Sequence, residues 1–282
     1  MKNKFYIIIT AALLVFLLYL SYQIFVDAKP LEVVFLDVGQ GDSILIQKGM
    51  RQILIDGGPS GKIELAKLGK YLPYFDREIE VVIATHPDKD HIAGLVDAAI
   101  NYKIGKVIST SAVKETAVFK EWQDVLAFSK TESLEARREN EVGFDEAKLF
   151  VISPASSIDS SVGDANNQSV VARFDFGESS FLFTGDIETP AEKEILMSGK
   201  DIDVDFLKVA HHGSKYSSSE EFLDAASPRE AIISVGASNS YGHPHEETLQ
   251  KLSNRNVRIL RTDENGDIRY ECRNSRCRNT TK

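Results

Sequence analysis

The stretch T-H-P-D-K-D-H-I-A-G, Thr85 to Gly94, gathers two histidines and two aspartates, His86, Asp88, Asp90 and His91, within six positions. It follows EVVIAT (80–85), an apolar β-rich run that reads as a buried strand. The ligand-bearing segment therefore leaves from a strand end, and HIAGLVDAAIN (91–101) continues with helical spacing of apolar residues. A helix cap would account for Asp90 alone. Neutral imidazole and carboxylate suit zinc, manganese or iron. Four such groups exceed what one ion takes from one loop, whereas two ions about 3.5–4 Å apart would share them.

Other strand ends carry matching groups. SFLFTGD (180–186) ends on Asp186, and DFLKVA (205–210) runs into His211-His212-Gly213-Ser214. EAIISVG (230–236) precedes Tyr241-Gly242-His243-Pro244-His245. Further strands are expected at LEVVFLD (31–37), SILIQ (43–47), QILID (52–56), KVIST (106–110) and VVARFDF (170–176), the last forming a hairpin with SFLFTGD. VRILRT (257–262) and DIRYEC (267–272) read as a closing hairpin around Glu264-Asn265-Gly266. Helices are expected over 63–75, 114–128, 189–197, 218–226 and 246–253, and a polar loop over 156–169. Strand runs followed by helix–strand alternation point to sheets covered by helices, a layered α/β sandwich.

The chain has 282 residues and a formal net charge of -9, a balance that argues against broad charge-driven binding to nucleic acid. Phe5 to Val26 carries no charge and meets the roughly 20 residues needed to cross a bilayer. Lys2 and Lys4 precede it, so the positive-inside bias places the N-terminus in the cytoplasm and the rest outside. The apolar run is longer than the usual signal-peptide core of about 7–15 residues; cleavage at Ala28 would instead release the domain. The expected division is an anchor over 1–27, a linker over 28–30, a catalytic domain over 31–271 and a tail over 272–282. Two cysteines, Cys272 and Cys277, lie in that tail and could close a small disulfide loop outside the membrane.

The order H-x-D-x-D-H, T-G-D, H-H-G-S resembles the metallo-β-lactamase fold. More narrowly it resembles the C-terminal hydrolase domain of ComEC-type competence proteins, in which LDVGQGDS (36–43), LIDGG (54–58), NNQSVV (166–171), LKVAHHGS (207–214) and YGHPH (241–245) also take part. The resemblance covers roughly residues 31 to 270. It implies a four-layer αββα sandwich with a binuclear site holding zinc or manganese. His86 and Asp88 would hold one ion, and Asp90 and His91 the second. Asp186 would bridge, and His211 or His212 would complete the second set, strand alternation sending the neighbours to opposite sides. Asp56 would support the metal loop. The fold's commoner motif is H-x-H-x-D-H, and here Asp88 replaces the middle histidine. No histidine lies between 92 and 185, and Asn166 or Asn167 would fill the corner left by the fold's usual third-motif histidine.

The expected chemistry is hydrolysis, with Asp90 or Asp186 accepting or steering a proton and His243 stabilising charge or protonating the leaving group. Gln40, Asp42, Asn167 and Ser214 are expected to contact substrate, and Lys208 to point outward from its strand. A phosphodiester is the expected substrate, DNA and a cell-envelope component being the two candidates. A carbonyl hydrolase acting on a lactam, lactone or thioester is the first alternative, and a non-catalytic binding protein the second.

Overall fold

The computed structural model describes residues 2–27, 29–138, 140–144, 146–154 and 165–281. Ala28 and residues 156–164 of the expected polar loop lie outside them. Helix α1 (Lys2–Asp27) comes first, and its apolar stretch Lys4–Tyr22 is unburied, with a mean hydropathy of 2.2. It is long and apolar enough to cross a membrane.

One sheet is built first from β1 (Leu31–Phe35), β2 (Ile44–Lys48), β3 (Arg51–Ile55), β4 (Glu78–Ala84), β5 (Lys103–Ser109) and β6 (Glu132–Glu135). The second contains β7 (Glu141–Phe144), β8 (Ala147–Ser153), β9 (Val171–Phe176), β10 (Ser179–Phe183), β11 (Phe206–Lys208), β12 (Glu230–Ile233) and β13 (Arg258–Arg261). The chain then returns to the first sheet with β14 (Ile268–Arg273) and β15 (Arg276–Asn279). The orders are β15-β14-β1-β2-β3-β4-β5-β6 and β13-β12-β11-β10-β9-β8-β7. Strands β3 to β6 run parallel, as do β10 to β13. Their C-terminal ends therefore share an edge within each sheet, where loops can converge.

Strand alternation explains the layers. In β3, Ile53 and Ile55 face the second sheet and join Phe174, Phe181, Phe183 and Phe206, while Leu54 points the other way. Leu54 and Val82 pack against α2 (Gly61–Tyr71), α3 (Lys89–Asn101) and α4 (Ala117–Ser129) through Leu68, Ile92, Leu95 and Trp122. On the far face, Leu182, Leu207 and Ile233 pack against α5 (Thr189–Met197), α6 (Glu220–Ala226) and α7 (Glu246–Asn254). Three apolar layers separate four layers of structure, so the αββα sandwich is as expected.

Two expectations are corrected. The segments 257–262 and 267–272 do not form a hairpin: β13 pairs with β12 and β14 with β1, in different sheets. The short helix α8 (Thr262–Asn265), followed by Gly266 at φ 66°, carries the chain from one sheet to the other. Residues 272–279, expected as a tail, instead complete β14 and form β15. Cys272 and Cys277 face each other across that hairpin as a disulfide, both buried in the intersheet core.

Helix α3 approaches the loop after β3 closely. Gly57 N–H donates to the His91 carbonyl and Gly94 N–H to the Gly58 carbonyl, at 2.7 and 3.0 Å. A Cβ at Gly94 would overlap the Gly57 carbonyl oxygen, so this position requires glycine. Gly94→Ala should cost about 1–3 kcal/mol, the range for forced overpacking, read as a lower denaturation midpoint with unchanged m-value.

Candidate metal centre

The loops after β3, β4, β10 and β11 meet at the sandwich edge. Three imidazoles there share one arrangement: Nδ1 is engaged by protein and Nε2 is buried without a hydrogen-bond partner. His91 Nδ1 lies 2.8 Å from Asp56 Oδ2, and His212 Nδ1 lies 2.9 Å from the Ser234 carbonyl. His86 Nδ1 lies 3.0 Å from Thr85 Oγ1, which donates onward to Asp56 Oδ2 at 2.6 Å. The three Nε2 atoms and Asp186 Oδ1 make no hydrogen bond among the described residues. In the neutral rings each Nδ1 is therefore the donor and each Nε2 is left as an acceptor, the form a ligating histidine takes.

The free nitrogens converge on Asp186, which Gly185 at φ 53° delivers from the end of β10. Asp186 Oδ2 is 3.3 Å from His91 Nε2, 3.3 Å from His212 Nε2, 3.9 Å from His211 Nε2 and 4.0 Å from His86 Nε2. Asp90 Oδ2 is 3.4 Å from His212 Nε2. Potential ligand atoms within metal-binding reach of one another come from His86, His91 and Asp186, and from Asp90, His91 and His212. Asp56, His211 and His212 all adopt positive φ, 56°, 49° and 53°. Such backbone costs about 1–3 kcal/mol per residue and persists where the surroundings enforce it. His211 and His212 thus lie in a left-handed turn beyond β11, and it is this turn, rather than strand alternation, that separates their side chains. His212 is buried in the cluster, whereas His211 is partly exposed and also faces Glu188 at 3.3 Å.

Four carboxylates, Asp42, Asp56, Asp90 and Asp186, crowd this space against one lysine, Lys208. Burial opposes charge on Asp186, yet His212 and His91 hold it well below the ordinary carboxylate range. Burial likewise opposes charge on His91 and His212, but the neighbouring carboxylates raise both well above the ordinary value. His86, by contrast, is pushed down to about 3 by burial and by His91. This excess of buried negative charge and these partnerless nitrogens fit divalent cations.

The remaining expected residues fall in different places. Asp88 faces Lys114, with Nζ–O distances of 2.6 and 2.7 Å, and belongs to none of the convergent groups. Lys208, expected to point outward, is buried and lies 2.6 Å from Asp42. Strand β11 is central and covered on both faces, so it has no outward side. Asp42 and Ser214, expected to contact substrate, are each 2% exposed. Asp42 braces His212 at 3.4 Å, and Ser214 Oγ accepts the Tyr216 N–H. Gln40 Oε1 accepts the Gly236 N–H and Asn167 Oδ1 the Glu188 N–H, so both oxygens hold loops. His243 is half-buried at the rim, its ring 5.5 Å from that of His211 and its Nδ1 without a partner. Burial and the nearby His212 and His211 push it down to about 4, so it is neutral near pH 7. Thr85, which couples His86 to Asp56, is a site residue that sequence reading missed; its place directly before His86 was the available signal.

The sequence profile of the Metallo-beta-lactamase superfamily matches residues 36–237, spanning every ligand position of the cluster. The chain belongs to the metallo-beta-lactamase superfamily. With that membership comes the superfamily's general character, metal-dependent hydrolysis. The chain is 34% identical over 265 residues to ComE operon protein 3 of Bacillus subtilis, covering 86% of this chain and 33% of that protein. It is 26% identical over 235 residues to competence protein ComA of Neisseria gonorrhoeae, covering 83% and 31%. These relatives bear out the ComEC-type resemblance, and the chain spans about a third of their length. Among solved structures, the metallo-beta-lactamase fold protein YhfI of Bacillus subtilis aligns with a TM-score of 0.56 at 13% identity, covering 83% of this chain and 96% of that one, a likeness of fold.

Asp56→Asn should weaken metal binding by about 10–100-fold, the usual cost of losing an outer-shell carboxylate, measured by competition with a chromogenic chelator. A second expectation concerns Glu64 of α2, fully buried near Ser43 and Lys67. Burial pushes it from 4.5 up to about 8, with Ser43 and Lys67 opposing. The folded state then binds the proton more tightly than the unfolded chain, so this group makes stability fall as pH rises from about 4.5 to about 8. Glu64→Gln should flatten that part of the Tm–pH curve.

Proposed function

We propose that this chain is a membrane-anchored, extracytoplasmic phosphodiesterase working with two divalent ions, zinc or manganese, on DNA or a phosphodiester of the cell envelope. The observation that carries the reading is the set of three oriented, partnerless Nε2 atoms around Asp186. His86 and Asp186 would hold one ion; Asp90, His91, His212 and Asp186 would hold the other. Such ions, when bound, make water a competent nucleophile near neutral pH and neutralise charge on the phosphoryl oxygens.

The chain's own groups supply the rest. Asp90, its side chain 32% exposed and its carboxyl held below the usual range despite burial, stays ionised at the cluster's mouth, where it accepts a hydrogen bond from water and orients it. Asp186 is fixed between the sheets and sets the line of attack. His243, neutral and at the rim, donates a hydrogen bond to the phosphoryl or leaving-group oxygen. The two carboxylates among the residues that would hold the ions, Asp90 and Asp186, lean toward hard, oxygen-rich chemistry and support a phosphodiester over a lactam. Location is supported by α1 and by the core disulfide, which persists in oxidising compartments.

The full chain in detergent, loaded with manganese or zinc, should hydrolyse bis-p-nitrophenyl phosphate faster than a lactam. A strong chelator or Asp186→Ala should abolish turnover, and His243→Ala should lower kcat by about 10²–10³, the range for losing one hydrogen-bond donor to developing negative charge. Hydrolysis that persists after metal removal would refute the reading.

A further inference from the structure

Helix α1 meets the domain through more than its linker. The Tyr22 ring, at the end of the apolar stretch, packs edge-on against Phe75, with ring centroids 6.1 Å apart. Phe75 belongs to the loop 72–77 between α2 and β4. That loop is pinned on both sides of its tip. Leu72 and Pro73 are buried, and so is Asp76, which accepts from Gln52 Nε2 at 2.7 Å and from the Glu78 N–H at 3.1 Å. Between the pins Tyr74 and Phe75 stand outward, 78% and 73% exposed, their rings edge to face at 4.9 Å. Lys29 and Pro30 of the linker share a crevice with Tyr71 and Pro73, so the end of α1 and the base of this loop lie together. Single exposed apolar residues need no explanation, but two adjacent aromatics held outward against the end of an apolar helix do.

We infer that the Tyr74–Phe75 loop is a second membrane contact, seated in the headgroup region of the outer leaflet beside α1. It rests on the reading of α1 as a membrane anchor. The stretch Lys4–Tyr22 is 19 residues, about 28 Å of helix against a hydrocarbon core of about 30 Å. Tyr22 therefore falls at the outer interface, where aromatic side chains gather, and a ring touching it lies at the same depth. Tyr74 offers an apolar ring with a polar tip, the form that suits this boundary. Arg77, exposed beside the Tyr102 ring, suits a lipid phosphate. A linker alone would leave the domain free to swivel, whereas a second contact fixes its tilt. The loop leads into the N-terminal end of β4, and the ligand-bearing segment leaves the C-terminal end. Seven residues of strand put about 20 Å between them. The metal centre is thus held on the edge away from the bilayer, toward substrate beyond the membrane rather than the headgroups of its own leaflet.

The two native cysteines are paired and buried, so a single introduced cysteine is the one thiol that takes a nitroxide label. Three variants of the full chain serve, each at an exposed position: Phe16→Cys within α1, Tyr74→Cys in the loop, and Val113→Cys beyond the C-terminal end of β5. Each is labelled and reconstituted in phosphatidylcholine vesicles. Spin relaxation by oxygen, which concentrates in lipid, is compared with relaxation by a water-soluble nickel chelate. The oxygen-to-nickel ratio should be highest at position 16, intermediate at 74 and lowest at 113. A label at 74 as open to nickel as the label at 113 would overturn the inference. So would a label at 74 shielded from both reagents, the mark of contact with protein such as a second copy of this chain. The label at 16 separates the two readings. Oxygen dominating at 16 with nickel dominating at 74 removes the loop contact alone, whereas free access of nickel to 16 removes the anchor and the loop contact together.

Discussion

Asp56 holds the centre together. Its carboxylate accepts from His91 Nδ1, from Thr85 Oγ1 and from the Thr85 N–H, at 2.8, 2.6 and 2.8 Å. Through Thr85 it also governs His86. One buried side chain therefore sets the tautomer and aim of two imidazoles in the first sheet. Burial raises its pKa while His91 opposes, so the carboxylate depends on its donors as they depend on it. Their mutual satisfaction is what makes a fully buried carboxylate tolerable.

The second sheet contributes its half by a different device. Asp186 and His212 arrive on turns with left-handed backbone, and the Lys208–Asp42 pair lies beneath them. A buried ion pair adds little net stability but strongly penalises losing either member. It ties the loop after β1 to strand β11, hence one sheet to the other. The centre is thus assembled across the sandwich, and neither sheet carries it alone.

Much of this was legible in the sequence because strands β4, β10 and β11 are short apolar runs that stop abruptly at ligand residues. The run of β-branched residues in EVVIAT and the polar break at His86 are local signals. What escaped was non-local. Lys208 reads as solvent-facing until β11 is known to be central in its sheet. The hairpin expected after Arg261 fails because β14 prefers β1, a pairing that no local pattern encodes. Strands β6 and β7 carry glutamates and lie at sheet edges, so neither shows a buried run. Asp88 matches a ligand position in the motif, yet its neighbour in space, Lys114, comes from the next loop.

The pairing of β1 with β14 has a consequence for how the domain can be made. Asp267, just before β14, accepts from the Asp37 N–H just after β1, across 230 residues. A chain emerging N-terminus first presents β1 and β2 early but lacks the strand that covers the other side of β1. Until β14 arrives, that edge is an unpaired template open to other chains. Vectorial synthesis or export therefore cannot finish the first sheet piecemeal; its closure is a late, long-range event, and the half-made domain is the form most exposed to aggregation.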